Sequence, residues 1–265
     1  MILASATPIG LTLGLAAAVA YAVLAAGASR LTKSASRWAL LVAWLLHAVV
    51  LAWSLLGDAP RFGFAPALSV TAWLVLTAYA VETQLFPQMQ SRWALAGFGA
   101  AAVALALLFP GAPLHVSGAP WLALHLALGI ASYGLFAAAV VHAWLMRRAE
   151  QKIRQASDPH SGMPLLALER LTFRFVAAGF VLLTATLMAG WFFGEILYGR
   201  AWHWDHKSIF SVLSWLVFAT LLVGRARFGW RGRTAVHGLY GGSLLLLLAY
   251  VGSRFVLEVV LERAP

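Results

Sequence analysis

Six consecutive residues, WHWDHK at positions 202–207, gather two tryptophans, two histidines, an aspartate and a lysine. Trp202 and Trp204 offer flat apolar faces, Lys207 a cation, Asp205 an acceptor, and His203 and His206 imidazoles able to ligate a metal. Flat aromatic surfaces beside a cation suit a flat, apolar ligand with acidic edges. Six more histidines lie elsewhere, at positions 47, 115, 125, 142, 160 and 237, and the chain has no cysteine. The missing thiols exclude a thioredoxin-like site, a thiolate-held metal, disulfides and the CxxCH attachment of a c-type haem. Redox or metal chemistry would therefore fall to His, Met, Tyr or carboxylates.

What must position these residues is a membrane. The chain is 62% hydrophobic and 11% charged with 12 Trp in 265 residues, a composition that cannot be wrapped into a water-soluble globule of this size. A hydrocarbon layer about 30 Å thick takes about 20 helical residues to cross. Apolar runs of that order recur over 9–29, 38–56, 67–86, 93–109, 121–146, 171–194, 208–224 and 234–257, punctuated by Pro, Gly and charge clusters. These runs predict an all-α, polytopic bundle of about eight transmembrane helices forming a single domain over 1–265. The segment RRAEQKIRQASDPHSGMPLLALER, too short for a second domain, reads as a connector between the fifth and sixth spans.

Lys and Arg near span ends are retained in the cytoplasm. Fourteen of them fall in the first, third, fifth and seventh loops and five on the other side, which predicts both termini on the outer, periplasmic side. The net charge of +10 is then topological and is no signal for nucleic acid. No basic residue precedes Arg30, so the first span lacks the charged start of a cleavable signal and is expected to remain a helix. This topology puts WHWDHK on the outer face, between the sixth and seventh spans. Trp and Tyr favour that interface in any case, so an aromatic belt with a lysine anchor is the plain alternative to a binding surface.

The remaining polar groups are less informative. His47 falls near the middle of the second span, where a polar side chain needs a partner; a hydrogen bond to a neighbouring helix and a second, intramembrane ligand site are both open. His142, His160 and His237 lie near the inner side, where ordinary hydrogen bonding is expected. Glu82 and Glu195 are close enough to span ends to snorkel. Gly190 and Gly194, and the group Gly238, Gly241 and Gly242, mark close helix packing. P-loop, HExxH, nucleophile-elbow and dinucleotide fingerprints are missing, so an ordinary hydrolytic or nucleotide-driven enzyme is not expected.

GWFFGEILYGRAWHWDHKSIFSVLSWLVFATLL resembles the tryptophan-rich WWD segment of the cytochrome c assembly family, whose pattern runs approximately WGxxWxWDPKE into an aromatic helix with a Trp-Leu pair. Gly199, Trp202, Trp204, Asp205, Lys207, Trp215 and Leu216 fall on it. WLALHLALGIASYGLF is similar to a second landmark, a histidine at the outer start of a helix followed by Ser-Tyr, here His125, Ser132 and Tyr133. With GWRGR at 229–233 and AYVGSRFV at 249–256 the likeness covers most of the chain. It is strongest over 121–257 and nearest the short CcsA/HemX-like branch.

The resemblance implies haem b, transiently held, with the tryptophans as a shelf, Lys207 or Arg200 pairing with the propionates, and His125 on the iron. An assembly partner protein would receive it. Two axial imidazoles place their nitrogens about 4 Å apart across the iron. His125 and His142 are 17 residues apart on one helix, roughly 25 Å, and cannot share a haem. His203, His206 or His115 could complement His125, and His47 would serve a second site. The chain departs from the pattern at Tyr198, at His206 and Ser208 on either side of Lys207, at Val223 in place of a histidine, and in LAYVGSRFVLEVV, where a second outer histidine is expected. These departures keep a second reading open: an accessory or regulatory membrane subunit without haem delivery, serving an ion transporter or tetrapyrrole synthesis.

Overall fold

The computed structural model describes residues 8–27, 30–56, 61–85, 92–113, 120–154, 165–194 and 204–261. Within them the chain is an all-α membrane bundle of α1 (Pro8–Gly27), α2 (Lys33–Leu56), α3 (Phe64–Leu85), α4 (Arg92–Leu108), α5 (Pro120–Arg154), α6 (Leu165–Phe192), α7 (His206–Phe228) and α8 (Gly232–Leu247). Beyond α8 the helix continues through two π-helical turns, Leu248–Gly252 and Val256–Val260, with Ser253–Phe255 between them. Seven of these helices are long and apolar enough to cross a bilayer, and Ala94–Leu108 is a shorter apolar helix, so the expected set of spans holds. Val19, Leu45, Val181, Leu216 and Leu244 are exposed. Such greasy outward faces suit lipid, not water.

The charged connector is shorter than its composition suggests. α5 runs on to Arg154 and α6 begins at Leu165, so helix occupies both ends of the polar segment. Local pairing supports the extension: Glu150 and Arg154 are one turn apart at 3.7 Å, and the Arg148 guanidinium lies 4.2 Å from the Trp144 ring.

Two compact units divide the chain. The first comprises residues 1–81, 90–115 and 254–265; the second comprises 82–89 and 116–253. In the first, α1 packs along α2 and α4, and Gly14 and Gly99 allow close approach of Leu107 and of Leu76 and Tyr21. α2 and α3 are joined by polar contacts: Trp44 Nε1 donates to Thr77 Oγ1 at 2.8 Å, and Trp73 Nε1 to the Trp44 carbonyl at 3.2 Å, with the two indoles stacked 5.1 Å apart. β1 (Arg61–Phe62) pairs antiparallel with β2 (Ala112–Pro113), and Arg61 Nε donates to the Gly111 carbonyl, 3.1 Å away. Gly111 has φ 78°, which a side chain would strain. A Cβ on Gly63 would stand 2.7 Å from Glu258 Oε1, so this turn also receives the end of the last helix.

In the second unit, α5 packs on α6 and α8, and α7 on α6 and α8. Lipid tails are as apolar as leucine, so such contacts depend on close packing and interhelical hydrogen bonds. Gly179, Gly238 and Gly242 provide the first, facing Phe136, Leu221 and Phe218, and Phe136 and Phe218 stack 3.8 Å apart. Ser214 Oγ provides the second by donating to the Gly242 carbonyl at 2.8 Å. Of the small-residue face expected at Gly238, Gly241 and Gly242, the first and last make the α7–α8 contact, whereas Gly241 is exposed and a Cβ there would meet nothing within 4 Å.

Candidate functional site

Asp205 is the N-cap of α7. Its extended backbone turns the chain into the helix, and Oδ1 accepts from the Ser208 amide at 2.9 Å and from Ser208 Oγ at 3.0 Å. Burial opposes ionisation of the carboxyl, but the two Ser208 hydrogen bonds and the charges of Lys207 and His206 outweigh it and hold the group below its usual value. The family pattern Asp-Pro-Lys-Glu is therefore a helix start: a cap, proline at the first helical position and glutamate at the third. Here His206 and Ser208 fill those last two positions and the cap survives. The signal was present in the sequence as an Asp three residues before a Ser at the start of an apolar run.

The other landmarks hold helices together. Trp215 Nε1 donates to Thr184 Oγ1 at 2.9 Å and its ring stacks on Phe180, tying α7 to α6, while Leu216 faces outward. Ser132 Oγ donates to the Gly179 carbonyl at 3.0 Å, tying α5 to α6. The Tyr133 hydroxyl donates to the Leu246 carbonyl and also bonds the Tyr250 backbone, entering the helix ladder where α8 passes into its first π-helical turn. A side chain inserted between a carbonyl and the amide four residues on is a recognised cause of such a distortion. At the opposite end of this unit, Gly229 caps α7 at φ 64°, Trp230 covers Gly224 at a distance that leaves no room for a Cβ, and Glu169 receives Arg225 at 2.6 Å and Arg231 at 3.5 Å. GWRGR is a tight, pinned turn.

These ties set the depth of the site residues. From the Phe136–Phe218 stack, His125 lies 11 residues up α5 and Asp205 lies 13 residues up to the start of α7, about 17 Å and 20 Å along parallel helices. His125 and the start of α7 are thus brought to the same end of the second unit. His125 and Lys207 are half-buried there, His206 is exposed, and Trp204 is 60% exposed. Trp202, His203, Gly199, Arg200 and His115 lie outside the described residues, as does His160.

His47 belongs to the first unit and is wholly buried. Nε2 hydrogen-bonds Ser69 Oγ at 2.9 Å, so the expected bond to a neighbouring helix is made. Its Nδ1 and the hydroxyl of the buried Tyr21, whose ring meets the imidazole edge-on at 5.7 Å, find no hydrogen-bond partner among the described residues. Ser69 and Tyr21 were not legible as its neighbours, because a small hydroxyl and a lone tyrosine in apolar helices carry no spacing signal. His142 Nδ1 lies 2.6 Å from the Ala138 carbonyl of its own helix, an ordinary local bond. No cluster of three or more His, Cys, Asp or Glu able to hold a metal ion occurs among the described residues.

A family model described as Cytochrome C assembly protein matches residues 34–261. The chain is 29% identical over 228 residues to the Inner membrane protein YpjD of Escherichia coli strain K12, covering 83% of this chain and 85% of that protein. It is 33% identical over 244 residues to the "Uncharacterized 28.8 kDa protein in nifR3-like 5'region" of Azospirillum brasilense, covering 86% of this chain and 88% of the relative. A shorter match, 35% identical over 89 residues, reaches the Cytochrome c biogenesis protein CcsA of Prochlorococcus marinus subsp. pastoris, and covers 34% of this chain and 28% of that one. No solved structure matches it. The family match runs from α2 to the end of the last helix and takes in the capped start of α7, the Ser132–Tyr133 ties and the GWRGR turn: the chain belongs to the cytochrome c assembly protein family.

Proposed function

We propose that the protein is a multi-pass inner-membrane component of cytochrome c biogenesis that binds haem transiently at the outer end of its second unit and presents it to an assembly partner. The observation that supports this reading is that His125 and the WDHK start of α7 lie at the same end of the second unit, whose helices are tied together by the family's own landmark residues. His125 would ligate the iron, Trp204 and Trp202 would cover the ring, and Lys207 would meet the propionates. Asp205 acts by capping α7, which fixes the direction in which Lys207 and Trp204 leave the bundle. Haem is cargo here, so the protein's work is retention, orientation and release, with no bond made or broken in the substrate. The excess of basic residues in the odd-numbered loops supports a periplasmic position for this end and for both termini. His47, buried with an unpartnered Nδ1, is the candidate for a second site within the membrane.

A second reading, an accessory subunit of the same fold without haem delivery, is favoured by one observation: LAYVGSRFVLEVV contains no histidine to complement His125. The deciding experiment is a visible spectrum of protein purified in mild detergent from haem-replete cells. A Soret band that disappears in His125→Ala supports haem presentation. A colourless protein that inserts normally supports the accessory role.

A further inference from the structure

At the opposite end of the second unit from His125, a groove opens between the end of α5 and the start of α8. Along α5, Arg147 is 22 residues from His125, about 33 Å, so the groove is separate from the haem-handling end. Its floor includes the buried side chains of Met146 and Val236, and its rim carries Arg147, Arg154, Arg233 and His237. Two neighbouring arginines are already engaged, since Glu169 holds Arg225 and Arg231. Arg147 and Arg233 make no ion pair among the described residues, and the one acid on the rim, Glu150, is engaged at 3.7 Å by Arg154. α8 begins beside them at Gly232 with no side-chain cap, so its first amides add partial positive charge to the same rim.

The geometry points to a binding site for a phosphodiester anion, supplied by the headgroup of an anionic phospholipid. Charge complementarity selects the phosphate, because arginine pairs bidentately with its oxygens. Depth selects the lipid: both walls are ends of membrane-spanning helices, Leu124–Gln151 and Gly232–Val260, which is where headgroups lie. The apolar floor suits the glyceride portion, whereas a free phosphate would gain nothing from Met146 or Val236.

The test uses the full chain, delipidated in dodecyl maltoside, with thermal unfolding and native mass spectrometry as readouts. Phosphatidylglycerol should raise Tm and persist as bound adducts, while phosphatidylcholine at equal load should do neither. Arg147→Gln with Arg233→Gln should weaken phosphatidylglycerol binding about tenfold or more, and Arg227→Gln, an arginine outside the groove, should leave it unchanged. If the Gln pair already melts early in phosphatidylcholine, the Arg147→Lys with Arg233→Lys pair replaces it and should still prefer phosphatidylglycerol but bind it more weakly than wild type, because lysine keeps the charge and loses the bidentate fork; binding as tight as wild type would overturn the arginine pairing. Equal response to the two lipids, or equal loss in Arg227→Gln, would overturn the site. An equal Tm rise with inorganic phosphate alone would overturn the lipid as its source.

Discussion

Replacing Asp205 separates its role as a cap from its charge. In Asp205→Ala the Ser208 amide and hydroxyl lose their common acceptor, and the loss of an N-cap costs about 1 kcal/mol. If the first turn of α7 opens locally, that cost corresponds to about a fivefold rise in its open population. Hydrogen exchange read by mass spectrometry on peptides covering residues 206–213 in detergent should show this, while peptides of α6 stay unchanged. Asp205→Asn retains an acceptor oxygen and should hold most of the protection. The pH dependence sharpens the distinction. The folded carboxyl is held below its usual value, so its contribution is complete above the ordinary carboxylate range and is lost as pH falls through the depressed value. After correction for intrinsic exchange, wild-type protection of this turn should fall on acidification and Asp205→Asn should be nearly flat. Equal deprotection in Ala and Asn variants would refute the cap and leave charge as the reason for the residue.

A reporter active only in the cytoplasm should be active when fused after Arg233 and silent after His206; the reverse pattern would overturn the orientation and with it the external site. His125→Ala should abolish or strongly reduce co-purifying haem and His160→Ala should not, as read from the Soret absorbance; equal losses would reject the ligand assignment. Replacing Trp202 and Trp204 together by Ala should weaken haem retention far more than Lys207→Ala, because aromatic burial outweighs a wet ion pair of at most about 1 kcal/mol. Unchanged haem in the double variant would make the tryptophans an interfacial anchor. Tyr133→Phe removes an interhelical hydrogen bond, so a loss of roughly 0.6–1.7 kcal/mol is expected in detergent unfolding; an unaltered midpoint would mean that the tie does not stabilise the bundle.

The spans were legible because bilayer thickness imposes a length on apolar runs, and α1 to α8 fall on all eight. The charge run and the Pro, Gly and Ser that follow it make the segment after Met146 read as connector, whereas Glu150 and Arg154, one turn apart, support α5 as far as Arg154. The Ser132–Tyr133 pair was visible only as a family landmark. Its work depends on the Gly179 and Leu246 carbonyls, 47 and 113 residues away, and no local pattern reports a partner at that distance. His47 stood out as a polar group in mid-span, but its partner Ser69 could not be distinguished from other small residues until α2 and α3 were packed. The tryptophan cluster divides: Trp204 is seen at the start of α7, whereas Trp202 and His203 fall outside the described residues.

The last helix has a consequence for the order in which this protein is made. Residues up to Ser253 belong to the second unit and those from Arg254 to the first, where Phe255 meets Phe64 at 5.3 Å and Glu258 lies against Gly63. Synthesis runs from the N-terminus, so α1 to α4 enter the bilayer before the residues that complete their unit exist. The first unit to be translated is therefore the last to be finished, and a chain interrupted anywhere after α4 leaves it open.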